Sequence, residues 1–180
     1  NYDSMLEIAG AGTKVLEIKS VNFAAKYGIK TEVMSSFNPD SGTEIANTIN
    51  EKSKIQNISL SEKESLVYIN TKDFEVLERA NIAYKILHVD GEERAEILIS
   101  KPDTSKLKVG KIEDVIQISI IGVFLKSDKV LQRALSIAKA NGGKVVFAIA
   151  LESKIVIHLK PIEGGGIKTI YNQLHSEFIF

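Results

Sequence analysis

A recurring order of short elements constrains this chain more than any single motif. Residues 55–60 and 65–69 read as strands around a charged turn, and a helix of barely two turns follows over 73–80. Strands over 82–89 and 94–100 are joined by the hairpin signal Asp90-Gly91. From Lys111 the order returns. A buried-looking strand over 115–124 leads to a helix capped by Ser127 or Asp128 and stopped by Gly142 and Gly143; strands over 144–151 and 155–160 follow, then an amphipathic helix over 167–178. The period is about 60 residues, taken twice. This order predicts an α+β chain of two ferredoxin-like βαββαβ modules, each burying one face of an antiparallel sheet under helices. Pro102, Gly110 and the lysine-rich stretch between them mark the linker, which places the first module at 51–110 and the second at 111–180.

Residues 1–50 stand outside the repeat. Asp3 is placed to cap a helix carrying Met5, Leu6, Ile8 and Ala9, ended by Gly10 and Gly12. Val21, Phe23, Ala24 and Ala25 make a second amphipathic turn closed by Gly28, and residues 31–37 have the content of a strand. Asn38-Pro39-Asp40-Ser41-Gly42 is turn chemistry, with a boundary soon after.

Composition narrows the classes of function. At 180 residues the chain is one ordinary domain or two small ones, and 23 Lys plus Arg balance 23 Asp plus Glu. A net charge of zero leaves no global field for nucleic acid or an anionic membrane. Cysteine is absent, which removes disulfides, thiolate zinc sites and a catalytic thiol. The apolar run 118–125 is broken by Ser119 and Gly122 and falls short of the ~20 residues of a membrane span. The chain opens on Asn1 without a basic start and apolar core of a secretion signal, so it reads as cytoplasmic and as a piece of a longer product.

The candidate chemistry is sparse. Gly164-Gly165-Gly166 could present amides to an anion but has neither phosphate-loop nor dinucleotide spacing, so it reads as a flexible loop. His88, His158 and His175 lack ligand spacing, and His158, alternating with Ile157 and Leu159, is expected to face solvent. No metal site and no catalytic residue follow. The pairs Glu62 with Glu64 and Glu92 with Glu93 read as solvated turn charge, and no serine has a nucleophile elbow around it. Small βαββ modules hold ligands where the first strand turns into the helix, which here means residues 70–73 and 126–129.

A resemblance makes this specific. Met5-Leu6-Glu7-Ile8-Ala9, Gly12-Thr13-Lys14-Val15-Leu16, Ser20-Val21, Lys26-Tyr27-Gly28-Ile29, Ser35-Ser36-Phe37 and Gly42-Thr43 resemble the junction in aspartokinases where the kinase domain ends. Ile118-Ser119-Ile120-Ile121-Gly122-Val123 with Lys126-Ser127 is similar to the start of that family's second ACT module, and Leu174-His175 with Phe178 to its closing helix. The resemblance implies a C-terminal stub of the amino-acid kinase α/β domain over residues 1–50, followed by tandem ACT-type modules. It implies a parent that phosphorylates the aspartate side-chain carboxylate with ATP and Mg²⁺ on the route to lysine, threonine and diaminopimelate, and a homodimer inhibited by lysine or threonine. The family's Gly-rich phosphate site lies upstream of this stretch, so this part carries no catalytic residue and no cofactor; its partners are the effector and the kinase domain of the same protein. By resemblance Lys14 is the nucleotide-proximal residue, and Asn70, Thr71, Asp73, Ser127 and Ser153 are effector-binding positions, each with plain capping or turn formation as the alternative.

The departures are informative as well. Asn70-Thr71-Lys72-Asp73 stands where the family has Asp, Pro and Gly before a long helix, and Asp128-Lys129 replaces His-Pro-Gly. Glu152-Ser153-Lys154-Ile155 replaces Ser-Thr-Ser-Glu-Ile, putting a cation where an acid would meet a ligand's ammonium. These changes define the alternative, a degenerate ACT pair that has lost effector binding and serves subunit assembly only.

Overall fold

The computed structural model describes residues 1–11, 15–38, 41–46, 55–91, 93–122 and 128–179. Helix α1 (Tyr2–Gly10) is capped by Asn1, whose side chain accepts the Ser4 N–H at 2.9 Å, while Asp3 lies inside the first turn. The acid expected to cap instead favours the positive end of the helix. Helix α2 (Ile18–Tyr27) closes on Gly28, whose φ of 63° is a conformation that residues with a Cβ rarely adopt. Strands β1 (Thr31–Met34) and β2 (Gly42–Ile45) form an antiparallel hairpin, in which Ile45 pairs with Thr31 and buries against Tyr2, Met5, Val21 and Ala24. The sequence predicts β1 alone. Four residues of which one is buried carry too little alternation to announce β2, which depends on its partner.

The remaining elements are β3 (Ile55–Ser61), β4 (Glu64–Asn70), α3 (Phe74–Arg79), β5 (Tyr84–Asp90), β6 (Arg94–Ser100), β7 (Lys111–Asp114), β8 (Ile116–Gly122), α4 (Asp128–Ala140), β9 (Val145–Ala150), β10 (Lys154–Leu159) and α5 (Gly166–Phe178). They build two four-stranded sheets. The early sheet runs β5-β6-β4-β7 and the late sheet β3-β8-β10-β9, each antiparallel throughout.

The sheets do not follow a division at residue 110. Strand β3 leaves the early unit to pair with β8, Ile58 opposite Ile120 and Leu60 opposite Ile118, while β7 joins β4 on the early sheet. Each sheet thus has the four-strand order of a βαββαβ module, with β7 as the last strand of the early one. In the late module β3, from upstream, fills that place. The cause lies in β8, which is buried along nearly its whole length and needs a partner at both edges. Strand β10 supplies one, and β3 supplies the other because Ile58 and Leu60 continue the apolar face under the helices. The region predicted as a linker contains a 3-10 turn, Lys101–Lys106, in place of a second helix over the early sheet. Gly110, at φ 87°, then brings the chain against β4, where a Cβ would lie 2.7 Å from the Ile69 side chain and the Tyr68 carbonyl.

Helices α4 and α5 cover one face of the late sheet through Ile118, Ile120, Ile155, Ile157, Ile170 and Leu174, while α3 covers the early sheet through Leu77 onto Val67, Ile97 and Ile99. The opposite faces meet one another. Leu66 and Leu98 of the early sheet pack with Val115 and Val146 of the late unit, and α1 lies against β3 and β8 beside this joint. His158 therefore sits in the joint at 3% exposure and not in solvent, because the second face of the late sheet is covered too. Among the described residues, no helix is long and apolar enough to cross a membrane.

The strand exchange yields a direct test. Ile58→Ala should destabilise the late module by roughly 2–5 kcal/mol, read by urea unfolding, and should speed amide exchange on β8 and β10 more than on β5 and β6. A larger effect on the early sheet would contradict the pairing.

Candidate functional site

The turn from β4 into α3 is built by Asn70, whose Oδ1 accepts the Lys72 N–H at 3.1 Å, and by Thr71, whose N–H donates to the Glu93 carbonyl at 3.0 Å. Asp73 precedes α3 without a side-chain capping bond. The Asn70 side chain thus shapes the turn, which is what the alternative of plain turn formation requires. Beside it lies a cavity of about 530 Å³ lined by Tyr68, Asn70, His88, Asp90, Arg94 and Glu96. Register explains the grouping: Asn70 pairs with Arg94 and Arg94 with Asp90, while Tyr68 pairs with Glu96 and Glu96 with His88. Partners directly opposite in a sheet share a face, so one guanidinium and two carboxylates stand together on the helix-free side. Arg94 can take a carboxylate in a bidentate fork, and Asp90 or Glu96 can accept from an ammonium. Sequence reasoning found Asn70 but missed Asp90, Arg94 and Glu96. The signal was available: hairpin pairing across Asp90-Gly91 brings them into two adjacent rows.

Ser153 stands elsewhere, in the turn between β9 and β10 of the late sheet. Its hydroxyl donates to Glu7 Oε1 at 2.9 Å, and Lys154 Nζ donates to Glu7 Oε2 at 2.6 Å, so a single carboxylate from α1 holds both. The Gly122 N–H donates to the Ser153 carbonyl at 3.0 Å, which ties this turn to the end of β8. The structure groups Asn70, Thr71 and Asp73 on the early sheet and sets Ser153 on the late one. Ser127 and Lys14 lie outside the described residues. Lys154, expected to confront a ligand's ammonium, has its charge met by Glu7 instead. No sequence pattern announced this pair, because its members lie on elements whose packing depends on the complete fold.

The joint between the sheets carries its own charges. His158 Nε2 lies 3.1 Å from Glu64 Oε2, and Lys85 Nζ lies 2.6 Å from Glu64 Oε1. Burial pushes the Glu64 carboxyl up, but the bonds from His158 and Lys85 outweigh it and leave the group below its ordinary range. Glu64 is therefore ionised near neutrality, so His158 Nε2 carries the proton of this bond. At the other end, bonds from Lys111 and Lys160 bring Glu113 down to about 2. Among the described residues, no group of three or more His, Cys, Asp or Glu is arranged to hold a metal ion.

No protein-family model matches the chain. Against curated proteins it is 44% identical over 55 residues to the aspartate kinase of Pseudomonas putida KT2440, a match covering 31% of this chain and 13% of that one. Among solved structures it resembles Escherichia coli aspartokinase III, with TM-score 0.76 and 17% identity over 99% of this chain and 46% of that chain in the form with aspartate and ADP. Against the same enzyme with lysine and aspartate the TM-score is 0.68, at 18% identity over 99% of this chain and 45% of that one. The ligand-free regulatory subunit of aspartate kinase from Thermus thermophilus matches with TM-score 0.56 and 16% identity, over 69% of this chain and 99% of that subunit. The chain thus spans less than half the length of the E. coli enzyme. The resemblance to aspartokinases holds in sequence over a short stretch and in fold over nearly the whole chain, and the fold is of the ACT type.

Two measurements follow from the charges. Glu64 and Glu113 both titrate lower when folded, so their contribution to stability is complete above an unfolded carboxylate value near 4.5 and is lost as pH falls below it, for Glu113 as the pH approaches about 2. Urea midpoints across that window should fall, and Glu113→Gln should flatten the decline. For the clamp between α1 and the late sheet, a double-mutant cycle on Glu7→Gln and Lys154→Met should return a coupling of about 1 kcal/mol that shrinks in high salt.

Proposed function

We propose that this chain is the regulatory part of an aspartate kinase, an enzyme that transfers the γ-phosphate of ATP to the side-chain carboxylate of aspartate in lysine, threonine and diaminopimelate biosynthesis. The observation that carries this reading is the continuous fold likeness over 99% of the chain to an aspartokinase, together with one that covers 99% of a separate regulatory subunit. Catalysis belongs to a kinase domain elsewhere in the parent. In-line phosphoryl transfer needs a phosphate cradle and Mg²⁺ ligands, which this reading assigns to that domain. ATP and Mg²⁺ would be held there, with Lys14 near the nucleotide by resemblance only.

The stub supports a covering partner. Phe23, Tyr27, Met34 and Phe37 are exposed, Phe37 at 97%, which is a poor surface to leave in water and a good one for packing against the kinase domain. Feedback would enter at the early sheet. Lysine or threonine could place its carboxylate on Arg94 and its ammonium on Asp90 or Glu96 beside Asn70, with the Glu7 clamp linking the late module to the stub. Such a link is a coupling free energy, typically about 1–3 kcal/mol. The modules would also pair two copies of the chain, as a homodimer in the cytoplasm.

One observation favours the alternative, in which the modules only assemble subunits: α3 is six residues long, a short platform for a ligand at its start. Calorimetry separates the two readings. Lysine or threonine should give saturable heat, and Arg94→Ala should weaken binding about tenfold or more by removing a charge-assisted bond. Silence at millimolar effector, with a dimer intact in sedimentation, would leave assembly as the function.

A further inference from the structure

A second cavity, of about 410 Å³, lies where α1, the early sheet and the late sheet come together. Its floor is the face of the late sheet that the helices leave uncovered. Register lays this floor out in rows: Ser61, Gln117, His158 and Phe147 stand side by side across β3, β8, β10 and β9, and Ser119, Val156 and Ile149 form the next row. Glu64, Lys85, Leu87 and Leu98 of the early sheet face it, Gly10 and Ala11 at the end of α1 close one side, and Lys63 and Lys154 also line it.

Three properties distinguish this space from a packing defect. First, the floor is polar at one end and apolar at the other, changing from serine, glutamine and histidine to Phe147, Ile149, Leu151 and Val156. An interior face assembled only for packing has no use for that gradient. Second, the polar end carries hydrogen-bonded groups that a dry packing surface does not need: Gln117 Nε2 donates to Ser119 Oγ at 2.7 Å, and His158 Nε2 lies 3.1 Å from Glu64 Oε2. Third, the charges do not cancel. Three lysines face one glutamate; Lys154 is matched by Glu7 and Lys85 by Glu64, which leaves Lys63 without a carboxylate among the described residues.

We infer that this inter-sheet cavity binds a small carboxylate of about amino-acid size with an apolar body. Its anionic end meets Lys63 and Lys85, and its body lies on Phe147, Ile149 and Val156 under Leu87 and Leu98. The volume falls in the range of ligand pockets, roughly 300–1,000 Å³. A molecule there touches α1 and both sheets at once, so its binding stiffens the stub against the modules. The site is separate from the Asn70 turn and does not rest on the function proposed above.

The test titrates the 180-residue chain, carbon-13 labelled at isoleucine, leucine and valine methyls, with 4-methylpentanoate and with 3-phenylpropanoate. Saturable shifts should concentrate on the methyls of Leu87, Leu98, Ile149 and Val156. Lys63→Ala should raise Kd about fivefold to tenfold, the range expected for one charge-assisted contact. Ile149→Trp, a substitution at the mouth of the cavity that leaves the central strands untouched, should abolish the shifts while thermal unfolding stays cooperative. The inference is overturned by absence of saturation at millimolar ligand, by shifts unchanged in both variants, or by equal binding of the uncharged 4-methylpentanamide. Lysine or threonine binding at the early sheet would shift methyls near Ile69 and Ala95 instead, so failure at one site is distinguishable from failure at the other.

Discussion

The antiparallel pairing of β3 with β8 is the constraint from which the rest of this structure follows. It closes the edge of a buried strand with a segment that precedes the entire early module, so that module becomes an insertion between two neighbours of the late sheet. The chain crosses between the sheets twice. The first crossing is Glu62 and Lys63, between the end of β3 and the start of β4; the second is Val115 alone, between β7 and β8. Connections this short leave almost no freedom for one sheet to turn against the other, and Val115 is itself buried with Leu66 and Leu98. The Lys101 N–H donates to the Lys63 carbonyl at 2.7 Å, which pins the first crossing to the early sheet. Two sequential beads on a flexible linker would behave differently, since their relative motion would cost little.

This crossing explains why the joint can hold ionised groups. Glu64 begins β4 directly after the first crossing, and the same connection that fixes it leaves it facing His158 of the late sheet. A carboxylate placed in a joint of variable geometry would lose its partners part of the time and incur the full cost of burial. Here the partners are held by backbone. Glu113, close to the second crossing, repeats the arrangement with Lys111 from its own strand and Lys160 from beyond β10. Each crossing therefore has beside it a carboxylate of the early sheet that bonds to β10 or to the residue just beyond it.

Much of this was legible in the sequence, and the boundary of legibility is physical. Strands and helices with their own periodicity were readable: β8, α4 and α5 each carry a complete apolar face, and the order of elements repeats. Beyond the β5–β6 hairpin signalled by Asp90-Gly91, the partner of each strand was not readable. A strand's alternation says which residues are buried but not which edge they meet, so β3 was assigned to the module next to it in sequence. The misreading of His158 has the same origin. Its neighbours Ile157 and Leu159 face the helices, and alternation places His158 opposite; only the second sheet packed on that side turns "opposite" into "buried". Of the candidate site, Asn70 was recoverable from its place at a strand end, whereas Arg94 and Asp90 became visible only through cross-strand register. Glu7 with Ser153 and Lys154 was beyond reach, because contact across that distance in sequence follows from tertiary packing alone.

Glu7 ties α1 to the late module. Alpha-helix α1 ends at the corner where both sheets approach, and its one acid on the module side bonds to both donors of the β9–β10 turn. The turn in turn accepts from Gly122 at the end of β8, so a displacement of β8 relative to β10 changes the geometry at Glu7 without passing through flexible chain. Exposed salt bridges contribute little to stability, and this one is only partly buried. Its value lies in specificity: two donors on one carboxylate define the orientation of α1 against the β9–β10 turn. Two independent domains would need a large interface to achieve the same. In this chain the insertion of one module into the other already fixes the sheets, so a single three-membered contact suffices to orient the helix that precedes them.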